Sequence, residues 1–238
     1  MNIISPSHPL RSEFRRKAPG SYDHSLGVAA LSNAVALDLV ESGFDVEIDP
    51  EIALGGGLIH DVGKMISPAS YVENRGRLQE CLGDEDVVSW DSLPVADRNQ
   101  RAAEILAHPL DGFEIAEDYD LPNRVRECTR THHGDGRAFE SSDNGEEPRR
   151  YDGPKPGSLE EVIVMIADVV DAAVNRGRNG DAMKIDYVDL VDREVARKTD
   201  QFEHLNLPPE LIEEMKKSFV KYAIFLYTDP DVLRIINL

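Results

Sequence analysis

Long hydrophobic runs are missing from this 238-residue sequence. The longest, Val162–Ala167 and Tyr222–Tyr227, are six residues each, far short of the roughly 18–20 that a membrane helix needs. The opening stretch Met1–Leu10 is polar, contains proline and has no signal-peptide core. No membrane insertion is expected, and a cytoplasmic protein is the default. Cysteine is scarce. Cys81 and Cys128 are far apart and form no C-x-x-C, which excludes a disulfide framework and a cysteine-based structural zinc site. Basic charge is short as well: 26 Lys and Arg face 45 Asp and Glu, a net charge of −19. Duplex nucleic acid is bound by excess Lys and Arg on phosphates, and anionic lipid by polybasic clusters, so neither partner fits.

What is present is enough for a core. Hydrophobic residues make up 41% and charged residues 30%, and the length favours one domain. Arg outnumbers Lys by 18 to 8, and the acidic residues run along the whole chain. Such a surface suits a protein dissolved in concentrated salt, where counterions screen self-repulsion; an ordinary acidic cytosolic protein is the alternative.

The periodicity is helical almost throughout. From Leu26, apolar or small residues recur at Ala30, Ala34, Leu37 and Val40, tracing one helix face that ends at Gly43. Ile52–Ile59, Arg98–His108, Gly112–Tyr119 and Pro122–His132 read as further helices. Ser158 and Glu161 form a capping box leading into Val162–Val174. Asp186–Gln201 is amphipathic, and Pro208–Tyr227 should bury Leu211, Met215, Phe219, Tyr222 and Leu226. Loops fall at Cys81–Pro94 and Gly134–Gly157. The expected class is all-α, a single domain over 1–238 with a core at about 18–175 and C-terminal helices at about 184–227.

Five histidines and two aspartates carry the chemistry: His24, His60, Asp61, His108, His132, His133 and Asp168. A lone histidine is usually a packed or solvated residue. Asp168 is more telling, because a carboxylate inside an apolar helix must find a cation or shift its pKa. Five helical segments bring these residues into one core, and divalent transition metals take imidazole and carboxylate ligands gathered from several elements. Neighbours on a helix diverge by about 100°, so His60-Asp61 and His132-His133 need helix ends to converge. Gly63 and Gly134 supply them. Two ions sharing a carboxylate would activate a water and clamp a phosphoryl group. Gly55–Gly57 lack the strand and Gly-Lys-Ser of a phosphate loop and read as sites of close helix packing. Asp171, on the same helical face as Asp168, would orient a ligand or face solvent. Trp90 would stack an adenine or plug the core, and His8 and His204 read as structural.

The pattern His24…His60-Asp61…Asp168 resembles the HD-domain phosphohydrolase superfamily. Ala18–Ser25, His60–Lys64, Tyr71–Asn74, His108–Gly112, Leu121-Pro122, His132–Gly134, Tyr151–Pro156 and Ala167-Asp168 occur in an order similar to the cytosolic HD domain of the seven-transmembrane HD (PgpH-type) cyclic di-AMP phosphodiesterases. The likeness runs from near Ser7 to about Val174 and includes Gly153-Pro154-Lys155-Pro156. It implies an HD helical bundle with a dinuclear centre in its core. Two iron or manganese ions would be held by His24, His60 and Asp168 on one side and His108, His132 and His133 on the other. Asp61 would bridge them, and a metal-bridging hydroxide would cleave cyclic di-AMP to the linear dinucleotide. Lys64 would balance charge on a phosphate oxygen. Family members carry membrane helices and an extracellular region ahead of this domain, and this chain begins where those would end, as a free-standing version or an excised portion. Arg137–Arg150 departs from the family's loop.

A dianionic substrate meeting a −19 chain needs local positive charge, for which Arg130, Arg137, Arg149, Arg150 and Lys155 are the expected rim, with Arg137, Arg150 and Lys155 as the candidate substrate-binding residues; pairing with loop carboxylates is their ordinary fate. The expected partner is a small cyclic dinucleotide, and a homo-oligomer is open. Alternatives are an HD hydrolase acting on another cyclic or linear (di)nucleotide, a non-catalytic nucleotide-sensing HD module, and oxygen chemistry at a di-iron site.

Overall fold

A computed structural model describes residues 3–75, 95–138, 149–178 and 185–229. Eight α-helices are used below: α1 (Pro9–Lys17), α2 (Pro19–Glu41), α3 (Pro50–Ile59), α4 (Val95–Asp118), α5 (Asn123–Thr131), α6 (Leu159–Arg178), α7 (Tyr187–Phe202) and α8 (Pro209–Thr228). A 3-10 turn, Val62–Met65, follows α3. Among the described residues there is no strand, only an isolated bridge between Arg137 and Arg150. The class is all-α, as expected.

Local chemistry explains most of the boundaries. Pro stands in the first turn of α1, α2, α3 and α8, where its missing N–H costs nothing. Asp49 caps α3 by accepting from the Glu51 N–H at 2.9 Å, and Asp186 caps α7 through Val188 and Asp189. His8 is buried and caps α1, its Nδ1 accepting from the Leu10 N–H. At α6 the Glu161 N–H reaches Ser158 Oγ at 3.3 Å, but the Glu161 carboxylate turns back to the Gly157 N–H.

Three helix readings need correction. α2 begins at Pro19, nearly two turns before Leu26. Its buried residues include Val28, Leu31, Val35 and Leu39, whereas Leu37 and Val40 are about half exposed, at 45% and 50%. The helix is apolar on several sides because it packs against α1, α3, α6 and α8, so periodicity alone could not choose its face. Arg98–His108 and Gly112–Tyr119 are one helix, α4, which runs straight through Pro109. Tyr222 is only partly buried; its hydroxyl donates to Asp38.

Two apolar clusters make the core. One joins Val28 and Leu31 of α2, Ile163 and Ile166 of α6, Val191 of α7, and Met215 and Phe219 of α8. The other joins Leu10, Phe14, Tyr22, Ile59, Val62, Leu121 and Val125. His60 and Asp61 follow Ile59 of the second cluster and Asp168 follows Ala167 of the first, so the polar centre is built on elements of both. Close packing of α3 on α2 depends on glycine: a Cβ at Gly57 would lie 2.6 Å from Ala29 Cα. Gly57→Ala should therefore cost about 1–3 kcal/mol, read as a fall of several degrees in thermal midpoint. An unchanged midpoint would show that the helices can part freely.

Candidate metal centre

The helix ends required by the two paired motifs are present. α3 stops at Ile59, His60 is its C-cap, and Asp61 leaves helical geometry with φ −102° and ψ 10° before the 3-10 turn. α5 stops at Thr131, His132 is its C-cap, and Gly134 takes the left-handed conformation, φ +56°. Gly63 matters for a second reason. A Cβ there would come within 2.0 Å of the His108 carbonyl, so the Asp61 turn can lie against α4 only with glycine.

Ring orientation is set by the backbone. His60 Nδ1 donates to the Gly57 carbonyl at 2.9 Å, His108 Nδ1 to Ile105 at 2.6 Å and His132 Nδ1 to Thr129 at 2.6 Å. A carbonyl can only accept, so the proton of each neutral ring sits on Nδ1 and the lone pair on Nε2. Pro109 makes this possible at His108: it has no N–H for the Ile105 carbonyl four residues back, and the imidazole takes that acceptor. His24 is held differently. Its Nδ1 meets Asp171 Oδ2 at 2.5 Å, while Asp171 also accepts from Asn175 at 2.7 Å and from the buried Tyr227 hydroxyl.

All seven residues converge. Ligand atoms of His24, His60 and Asp168 lie within 4.8 Å of one another, as do those of His108, His132 and His133, and each triad could hold a metal ion. Asp61 stands between them. Its Oδ1 is 3.3 Å from His108 Nε2 and 3.6 Å from His132 Nε2, while its Oδ2 is 3.4 Å from His60 Nε2 and 3.9 Å from His24 Nε2. Asp168 Oδ1 is 3.0 Å from His24 Nε2.

The residues fit divalent cations on two observations. First, His60 Nε2 is buried with no hydrogen-bond partner. Second, His108 Nε2 and His132 Nε2 lie 3.2 Å apart with both Nδ1 protons already engaged. Two facing lone pairs repel unless a cation lies between them, and metal–nitrogen bonds of about 2.0–2.1 Å give this spacing.

Charge follows the same design. Burial, followed by the nearby His60 and His108 rings, lowers His132 to about 4 despite its contact with Asp61, leaving it neutral with a lone pair to offer. Burial and its histidine neighbours also hold His133 well below the usual range. Burial alone would raise the Asp61 carboxyl, but Lys64 and the surrounding imidazoles hold it well down. Asp168 behaves likewise through His24 and His60. Burial opposes charge on His24, yet Asp171 and Asp168 raise it well above normal. The Lys64 ammonium sits 2.7 Å from Asp61 and 2.9 Å from Glu73. Those carboxylates outweigh its burial and keep it protonated.

Beside the centre is a cavity of about 540 Å³ lined by His133, Asp168, Arg137, Arg150 and residues of α7. Of the arginines expected at a rim, Arg137 and Arg150 line this cavity, whereas Arg130 pairs with Glu127 and Arg149 with Asn99. Lys155 is not in this lining: its ammonium donates to the Asp200 carbonyl at 2.8 Å and lies 4.0 Å from Asp135. The Tyr151 ring stacks on His133, with centroids 4.1 Å apart. Sequence reasoning missed the contributions of α7 and α8. Gln201 clasps the turn after His133 by donating to Asp135 Oδ1 at 2.7 Å and accepting from its N–H at 3.1 Å. Asp171 holds the His24 ring rather than facing solvent, and Gly55–Gly57 do serve packing. His204 is exposed on a 3-10 turn away from the site. Cys128 is buried and unpaired; Cys81 and Trp90 lie outside the described residues. No helix among the described residues is long and apolar enough to cross a membrane.

A buried cluster of this kind, carried on helices around a His-Asp pair, defines a class. The family model for the HD domain matches residues 21–173, and the chain belongs to that family. Within it, the chain is homologous to PgpH cyclic-di-AMP phosphodiesterases. It is 30% identical over 194 residues to "Cyclic-di-AMP phosphodiesterase PgpH" of Bacillus subtilis (strain 168), covering 78% of this chain and 25% of that protein. It is 31% identical over 193 residues to the protein of the same description from Listeria monocytogenes serotype 1/2a (strain 10403S), covering 78% and 24%. The chain therefore spans about a quarter of the length of the curated relatives it matches. The crystal structure of the L. monocytogenes PgpH HD domain superposes with a TM-score of 0.71 at 26% identity, over 93% of this chain and all of that one. The same domain in complex with cyclic-di-AMP gives a TM-score of 0.73 at 24% identity, over 93% and 98%.

Proposed function

We propose that this chain is a metal-dependent phosphodiesterase that opens cyclic di-AMP to the linear dinucleotide. The observation that carries the hydrolase reading is Asp61, one oxygen facing each triad, with the surrounding Nε2 lone pairs turned inward. His24, His60 and Asp168 would hold one divalent ion, His108, His132 and His133 a second, and Asp61 both; iron or manganese suits this donor set. Bound there, such ions supply a water that ionises near neutral pH and positive charge for the phosphoryl oxygens. The chain's own residues do the rest. The carbonyls of Gly57, Ile105 and Thr129 keep three rings in the ligating tautomer. Asp171 fixes His24. Lys64, held by Asp61 and Glu73, places a permanent cation beside the phosphate position. Cyclic di-AMP as substrate is supported by the descriptions of the PgpH relatives and by the ligand of the superposed crystal structure. We read the chain as a single HD domain, because Val191, Met215 and Phe219 of α7 and α8 share one apolar cluster with Val28 and Ile163.

Incubating manganese-loaded protein with cyclic di-AMP, cyclic di-GMP and linear dinucleotides and separating the products provides the test. The linear adenine dinucleotide should appear, with cyclic di-AMP turned over fastest. Elemental analysis should give close to two metal equivalents per chain. Cyclic di-AMP ranking last would remove the substrate assignment, and a metal-free protein that binds without turnover would indicate a sensor.

A further inference from the structure

The cavity beside the metal centre has a wall that the proposed chemistry does not yet use. From His133 and Asp168 it extends to α7, where Lys198 forms part of the lining. The cations around it differ in one respect. Arg197 donates to Glu194 at 3.2 Å, and Arg150 to the Asp135 carbonyl at 3.1 Å. Lys198, by contrast, makes no hydrogen bond and no ion pair within 4 Å with any described residue. Burial pushes its ammonium down in pKa, and the field of Asp168 only partly restores it. A part-buried cation with no carboxylate on it among the described residues is relieved by an anion in the cavity. Lys64 cannot serve there. It is not part of this lining.

A cyclic dinucleotide carries two phosphates a fixed distance apart. When one is being cleaved at the centre, the other must be accommodated within reach of it; the cavity walls described beside His133 and Asp168 offer two cations without a described partner, the exposed Arg176 of α6 and Lys198 of α7, and of these only Lys198 is part-buried. We propose that Lys198 binds the second, uncleaved phosphate of the substrate, so that α7 sets the preference for a two-phosphate ring over a substrate with one phosphodiester. This rests on the phosphodiesterase reading above. It places a binding residue beyond residue 173, where the family match ends.

The test uses metal-loaded wild-type, Lys198→Met and Lys198→Arg proteins. Methionine keeps the stem and helix propensity and removes the charge; arginine keeps the charge. Steady-state kinetics are measured on cyclic di-AMP and on bis(p-nitrophenyl) phosphate, a single diester. Calorimetry with a phosphorothioate analogue of cyclic di-AMP, whose sulfur slows turnover, gives affinity directly. Loss of a hydrogen bond to a charged group predicts that Lys198→Met lowers the ratio of kcat/KM for cyclic di-AMP to that for the single diester about tenfold or more, through KM, and weakens analogue binding equally. Lys198→Arg should recover most of both. An unchanged ratio and affinity, or a fall confined to kcat, overturns the proposal. Failure of the wild-type protein to cleave either compound would instead sink the phosphodiesterase reading; calorimetry then decides Lys198 alone, and equal or undetectable binding by wild type and Lys198→Met overturns it.

Discussion

Asp61→Ala protein is expected to lose on the order of a thousandfold or more in turnover of cyclic di-AMP while keeping its helical circular dichroism. The carboxylate faces both triads at once, so its removal takes a ligand from each position and the partner from Lys64. It sits between α3 and the 3-10 turn, outside any helix interior, and no apolar cluster contains it. The fold should therefore survive. Asp61→Asn separates charge from shape, and should recover little activity if the negative charge is what the centre needs. Activity within a few-fold of wild type in either variant would remove Asp61 from the chemistry.

The second large effect is expected at Asp171, which is buried behind His24. It holds His24 by Nδ1 and is itself held by Asn175 and Tyr227. A Cβ at Gly27 would fall 2.2 Å from Asp171 Oδ1, so the backbone of α2 leaves room for this carboxylate. Asp171→Asn should weaken the metal position at His24 about 10–100-fold, the usual cost of losing a partner behind a ligating histidine. The position at His108, His132 and His133 should be unaffected, so a metal titration should show one of two equivalents weakened. Tyr227→Phe should move the same equivalent by less. Equal weakening of both equivalents would mean that Asp171 supports the whole fold rather than one ring.

The site was more legible than the fold around it. A His-Asp pair, a His-His pair and an aspartate in an apolar helix are each costly to bury alone, and a shared cation is what makes their joint burial favourable. The two glycines after the pairs even located the helix ends. Helix boundaries were harder because proline is ambiguous. At Pro19 it starts a helix; at Pro109 it sits inside one, where the freed carbonyl is answered by a side chain rather than by a break. The face of α2 was hidden because several helices surround it. The roles of Gln201 and Tyr227 were invisible for another reason: each acts across a long sequence separation, through contacts that no local pattern encodes.

Ala138 and Arg149 are hydrogen-bonded backbone to backbone at 2.9 Å, with Arg137 and Arg150 bridged beside them. Tyr151, one residue past Arg150, donates its N–H to the Gly136 carbonyl at 2.9 Å and stacks on His133. Backbone pairing thus holds this wall in one arrangement before anything enters the cavity, and a molecule that binds against a wall already ordered loses less affinity to ordering it.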